Sequence, residues 1–233
     1  MSSIELFKCF SGKHDYSDEE QALSCCNPKA KIAALFVTNP GPYYQVPNVD
    51  CWDVERDARL YQGPYPIVGH PPCARWSKLA FLVQATLGTR VGDDGGCFES
   101  AFNSVRKWGG IIEHPSGSMA YDHFSIQRPY KGAGWLRDKK NHAWVCEVDQ
   151  GVYGNPLVKP TWLFYVGFGV EPPSLNWHRS YPKQKIQFEQ HKRPYTTFEL
   201  MVQRERSRTS IPFRDLLLSL ARMVNRTSLW EER

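Results

Sequence analysis

The side chain in the least ordinary setting is Cys73, which follows two prolines in His70-Pro71-Pro72-Cys73. The prolines restrict the backbone and remove two N–H donors, and Arg75 stands two residues on. A neighbouring cation favours the thiolate, the form that attacks electrophiles. Glu113 closes the apolar pair Ile111-Ile112 and is followed by His114-Pro115. Burial at a strand end predicts a raised carboxyl pKa, and therefore a proton donor. With the imidazoles of His70 and His114 and the Gly/Pro-restrained turn Asn39-Pro40-Gly41, these segments can gather a thiol, a carboxylate and two imidazoles at one edge. The plainer alternatives are a small buried hydrophobe for Cys73 and an exposed, cation-paired carboxylate for Glu113.

Short buried strands separated by helical stretches are needed to hold such groups. Ile32 to Val37 is a continuous apolar run closed by Asn39-Pro40-Gly41-Pro42, and Pro66 to Gly69 leads into the Cys73 loop. Phe98, Ala101, Phe102, Val105 and Trp108 make one helical stripe. Asp93-Asp94 precedes it, where carboxylates suit a helix N-terminus. Gly109-Gly110 stops the helix and Ile111-Ile112 starts the next strand. Val54 to Tyr61 and Ser77 to Leu87 read as helical, and Ala143 to Val148 and Thr161 to Val166 as strands. A last helix begins at Pro212, with its stripe running from Phe213 to Val224. This order predicts an α/β fold with a mostly parallel, Rossmann-like sheet flanked by helices. Residues 1–30 read as an irregular lead-in to a single domain over 31–233. Reactive groups then gather at the carboxyl ends of the strands.

The 233 residues carry a net charge of +5, with 41% hydrophobic and 23% charged residues. A disordered polyelectrolyte is excluded, and no apolar run is long enough to span a membrane. The first residues lack the apolar core of a secretion signal. Seven cysteines without framework spacing predict a reduced, cytoplasmic setting. From Asn176 to Arg233 twelve Lys/Arg face six Asp/Glu, so the basic region (about 171–233) suits a polyanion such as DNA. Arg75, Arg204, Arg206 and Arg208 are the candidate phosphate contacts, solvated charge being the alternative. Trp76, Trp135, Trp144, Trp162 and Trp177 can stack on bases, although core packing is expected of Trp144 and Trp162. Cys9, His14, Cys25 and Cys26 lack usual zinc spacing, and His70 with Cys73 lacks the second cysteine of a zinc deaminase; no metal is expected.

Val68-Gly69-His70-Pro71-Pro72-Cys73-Ala74-Arg75-Trp76-Ser77 resembles the catalytic proline–cysteine loop of the cytosine carbon-5 DNA methyltransferases. Glu113-His114-Pro115 is similar to that family's Glu-Asn-Val or, in small phage-type relatives, Glu-Asn-Pro. Tyr153-Gly154-Asn155-Pro156 with Lys159-Pro160-Thr161 resembles a later Tyr-Gly-x-Pro segment. The resemblance runs over roughly residues 32–226. It implies a methyltransferase-like fold in which Cys73 adds to carbon 6 of a flipped or single-stranded pyrimidine and Glu113 serves the ring nitrogen. It also implies Lys159 in place of a family arginine, and a phage-infected cytoplasm. S-adenosylmethionine would be held by Phe36, Gly41 and Asp50 or Asp53, although this turn has one glycine and two prolines where the family is glycine-rich. Two other readings stand beside it. Asn39-Pro40-Gly41 with His114-Pro115-Ser116-Gly117 resembles the paired motifs of uracil- and thymine-DNA glycosylases. A methyltransferase-like fold that only binds DNA, its chemistry lost, is the other.

Overall fold

The computed structural model of the chain describes residues 31–77, 80, 90–180 and 208–225. The lead-in over 1–30 and the Ser77 to Leu87 helix, apart from Ser77 and Ala80, lie outside the described residues.

Seven strands form one sheet: β1 (Ile32–Leu35), β2 (Val49–Trp52), β3 (Ile67–Gly69), β4 (Gly110–Pro115), β5 (Leu136–Asp138), β6 (Ala143–Asp149) and β7 (Pro160–Val166). Their order across the sheet is β2-β1-β3-β4-β7-β6-β5. β1 is parallel to β2 and β3, and β3 to β4. The β4–β7, β7–β6 and β6–β5 pairings are antiparallel. The expected mostly parallel sheet is therefore corrected to a mixed one, parallel on one side and antiparallel on the other.

Helices α1 (Cys97–Trp108) and α3 (Ile211–Arg222) cover opposite faces, and α2 (Ala120–His123) is a single turn. Alternation along the central strands feeds both cores. Ile32, Ala34, Val68 and Ile111 face Phe213, Leu216, Leu217 and Leu220 of α3. Ala33, Leu35, Ile67 and Ile112 face Phe98, Ala101, Phe102 and Val105 of α1. Burial on both sides explains why β1, β3 and β4 are continuous apolar runs. Between α1 and β4 the chain must turn with no side chain. A Cβ on Gly110, whose φ is +117°, would lie 2.1 Å from the Ile67 carbonyl oxygen.

The stripe over Phe98 to Trp108 is helical and buried, as its spacing predicts. Asp94 is its cap. Its Oδ1 accepts from the N–H groups of Gly96 and Cys97, and its Oδ2 from the N–H of Phe98 and from Trp76 Nε1 at 2.8 Å. One carboxylate thus closes the helix and anchors the segment after Cys73. Asp94→Ala is expected to cost about 2 kcal/mol, the upper end for a lost N-terminal cap, read as a lower urea midpoint. At the other end of the chain Ser210 Oγ accepts from Phe213 N–H, and Pro212 stands in the first turn of α3. Val54 to Tyr61 holds only the 3-10 turn Ala58–Leu60. No helix among the described residues is long and apolar enough to cross a membrane.

Candidate active site

The chain passes from β1 to β2 on one side, then crosses to β3 on the other. In open α/β sheets, ligands bind where the carboxyl ends of strands diverge in this way. His70, the first residue past β3, donates its backbone N–H to the Leu35 carbonyl at 3.0 Å, which fixes it beside the end of β1. One strand over, Glu113 falls on the α3 face by alternation with Ile111.

A buried polar chain runs through this edge. Tyr43 Oη lies 2.8 Å from His70 Nε2, and His70 Nδ1 lies 3.0 Å from Glu113 Oε2. Gln150 Nε2 donates to Glu113 Oε1 at 2.8 Å and to Thr161 Oγ1 at 2.9 Å. Lys159 Nζ stands 4.0 Å from Glu113 Oε1. Local structure explains each position. Asp149 Oδ1 accepts from Gly151 N–H and Lys159 N–H, pinching the β6–β7 loop so that Gln150 and Lys159 meet. Arg214 of α3 donates to the Pro42 carbonyl at 2.7 Å, holding the turn that carries Tyr43.

Burial pushes the Glu113 carboxyl pKa up, but the His70 hydrogen bond and the charges of Lys159, His70 and His114 outweigh it and bring it down to about 2. The expected proton donor is therefore corrected to an ionised carboxylate. An ionised Glu113 only accepts, so His70 Nδ1–H donates to it, and in the neutral ring Nε2 accepts from Tyr43 O–H. Burial, with the charge of Glu113, raises Tyr43 well above the usual phenol range and keeps that proton in place.

Cys73 is exposed and free. Its sulfur is nonetheless partly shielded, and this desolvation, with the charge of Glu113, raises the thiol pKa; Lys159 opposes it. The cation that Cys73 feels is Lys159 and not Arg75, whose carbonyl accepts from Gly92 N–H. The expected depressed thiol is corrected accordingly.

His114 belongs to the other face. It is 1% exposed, its ring packs edge-on against Phe98 at 5.1 Å, and neither ring nitrogen makes a well-formed hydrogen bond. A group so enclosed supports the Cys73 loop from below and cannot touch a substrate, which corrects its place in the catalytic set and in the glycosylase reading. Burial lowers its pKa from 6.5 to about 4, against Glu113 and the nearby Pro72 and Pro71 carbonyls, which favour the charged ring. Between those values the unfolded chain takes a proton that the folded state refuses, so stability falls as pH drops from 6.5 to 4 and this contribution is level below. His114→Leu is expected to remove about 2 kcal/mol of the loss between pH 7 and pH 5. Urea unfolding of both proteins at the two pH values measures it, and packing costs of the substitution cancel in the difference.

Asn39 is exposed on the turn after β1 and makes no hydrogen bond to the buried chain. The residues that the resemblance assigns to S-adenosylmethionine do not fit it. Phe36 is half-buried at φ 60°, and a Cβ on Gly41 would lie 2.2 Å from the Thr38 carbonyl oxygen, so the turn is folded on itself. Asp53 accepts from Tyr44 O–H and from the N–H groups of Glu55 and Arg56. Asp50 holds Trp52 Nε1 and Arg56. Both carboxylates are spent on the protein. Among the described residues no group of three or more His, Cys, Asp or Glu is arranged to hold a metal.

Arg208 is exposed, whereas Arg204 and Arg206 lie outside the described residues, as do Cys9, His14, Cys25 and Cys26. Trp76 and Trp162 are core, Trp144 is half-buried against the α3 core, and Trp135 packs edge-on against Trp177. Tyr43 and Gln150 escape a reading by motif, and Thr161, inside the Lys159-Pro160-Thr161 segment, is given no role by it. Only Gln150 leaves a trace, as a polar residue directly after an alternating strand. Comparisons with protein-family models, with curated proteins and with solved structures return no match to this chain.

Proposed function

We propose that the protein activates carbon 5 of a pyrimidine in DNA through covalent addition of Cys73, on a Rossmann-like half-sheet formed by β2, β1, β3 and β4. The observation that carries the reading is that an exposed thiol at the end of β3 lies within the electrostatic reach of both Glu113 and Lys159. A protonated thiol beside an ionised carboxylate defines the direction of proton flow. The sulfur bonds to carbon 6 while its proton passes through the Glu113 carboxylate to ring nitrogen 3. The carbon 5–carbon 6 electron pair becomes an enamine, nucleophilic at carbon 5. Carbon 5 then takes a proton from water and gives its original hydrogen, as a proton, to the hydroxide left behind; the double bond reforms with expulsion of the sulfur, and the proton on nitrogen 3 returns through Glu113 to the leaving thiolate. This exchange needs no group donor, and no step runs through S-adenosylmethionine. The base is single-stranded or flipped, because the ring faces are closed inside a duplex. The four described cysteines are free, which suits thiol chemistry in a reducing cytoplasm.

Release of tritium from cytosine labelled at carbon 5, within an oligodeoxynucleotide, tests the reading directly. DNA carrying 5-azacytosine, whose ring has nitrogen in place of carbon 5 and is more open to addition at carbon 6, is expected to give a longer-lived adduct that is caught by rapid denaturation. The reading falls if neither tritium release nor adduct is seen.

A further inference from the structure

A cleft lies away from Cys73, beneath the edge strand β5. It has a volume of about 540 Å³ and is lined by Ser125, Gln127, Arg137, Lys139 and Lys140 together with Asp122 and Asp138. The two carboxylates are already engaged. Asp138 is buried and accepts from the N–H groups of Gln127 and Asn141 and from Asn141 Nδ2. Asp122 is paired with Arg128. Arg137, Lys139 and Lys140 are exposed and make no ion pair among the described residues; Arg137 lies over the Trp144 ring, 5.1 Å from its centroid. The cleft therefore presents three exposed cations, none of them in an ion pair among the described residues, in a concave, open surface.

We propose that this cleft seats the sugar–phosphate backbone of DNA. The partner class rests on the function proposed above; the site itself rests on the cleft and its cations. β5 is three strand spacings from β4, roughly 15 Å. The Lys139–His142 turn leading into β6 lies toward the amino ends of the parallel strands, away from Glu113. A polymer reaches from one to the other, whereas a free phosphate does not. Cations that meet phosphates release counterions, so they reveal themselves in the salt dependence of binding.

The experiment measures binding of a fluorescein-labelled oligodeoxynucleotide by anisotropy between 50 and about 300 mM salt. The proteins are wild type, the triple variant Arg137→Gln, Lys139→Gln, Lys140→Gln, and the control Lys107→Gln on the exposed side of α1. The triple variant is expected to bind about 10- to 100-fold more weakly, with a salt slope shallower by about 2 to 3, while the control binds like wild type. Unchanged melting of the triple variant shows that the fold is intact, since all three side chains are exposed. Equal affinity and slope in the triple variant overturn the proposal. So does a wild-type protein that ignores DNA, or one that prefers vesicles of anionic lipid. A wild type that shows the expected binding yet releases no tritium leaves the seat standing and removes only the chemistry.

Discussion

Cys73→Ala is expected to abolish both tritium release and the azacytosine adduct, a loss of at least about 10³-fold, because it removes the sulfur that forms the bond to carbon 6. The side chain is exposed, and exposed substitutions usually change stability by less than about 0.5 kcal/mol. Loss of activity in a protein that melts normally is then chemical in origin. Cys73→Ser extends the test, since an alcohol gives its proton up far less readily and its exchange should also vanish. The pH profile follows from the raised thiol. Desolvation of the sulfur and the charge of Glu113 hold the proton on, and Lys159 opposes them. Addition uses the protonated thiol and the ionised Glu113 together, so the exchange rate in the free enzyme is expected to stay level from about pH 6 to 8 and to fall as the thiol loses its proton at higher pH. Lys159→Met removes the cation that lowers the thiol pKa and should move the falling limb to higher pH. A rate that instead rises about tenfold per pH unit between pH 7 and 9 would mean that the sulfur reaches carbon 6 without passing its proton through Glu113.

The parts of this fold that are buried on both faces were plain in the sequence. Ile32 to Leu35 and Ile111-Ile112 are fully buried, and burial on two sides leaves an unbroken apolar run. β2, with the sequence Val-Asp-Cys-Trp, is an edge strand and half-buried throughout. Its acidic residue serves Arg56 and Trp52 and hides the strand from a hydrophobicity pattern. β5 is three residues long and equally silent. The direction of the second half of the sheet was legible in principle. Ten residues separate β6 from β7, and a parallel pair needs a crossover of about a dozen or more, usually a helix. That argument gives an antiparallel pairing, and with it the mixed sheet.

The candidate site divides in the same way. Strand ends place Cys73, His70 and Glu113 on one edge because parallel strands deliver their carboxyl ends together. The ionisation of Glu113 depends on partners far away in the chain. His70 is 43 positions off and Gln150 is 37 positions off. Local sequence shows the burial that raises a carboxyl pKa and hides the hydrogen bonds that lower it. His114 illustrates the complementary error. It adjoins Glu113 in sequence, but a strand turns consecutive side chains to opposite faces, and the residue ends against Phe98.

Glu113→Gln is expected to lower the exchange rate about 10²- to 10⁴-fold, the range for a lost acid–base group, and to cost about 3 kcal/mol of stability at pH 7. The amide has the same shape, but its NH₂ group must face either His70 Nδ1–H or Gln150 Nε2, both of which donate to the carboxylate in the native protein. Glu113→Ala should cost about 3 to 5 kcal/mol, because Lys159 and two buried donors are left without their partner. The sign of the pH dependence is fixed by the depressed pKa. Its folded value of about 2 lies below the ordinary 4.5, so the folded state holds the proton less tightly than the unfolded chain. The stabilisation is fully present above pH 4.5 and is lost as pH falls through 2. Urea unfolding of wild type and Glu113→Gln should therefore differ most at pH 7 and converge between pH 4.5 and 2. A gap that stays constant down to pH 2 would mean that Glu113 carries no special charge in the native state, and the route for the thiol proton would be lost with it.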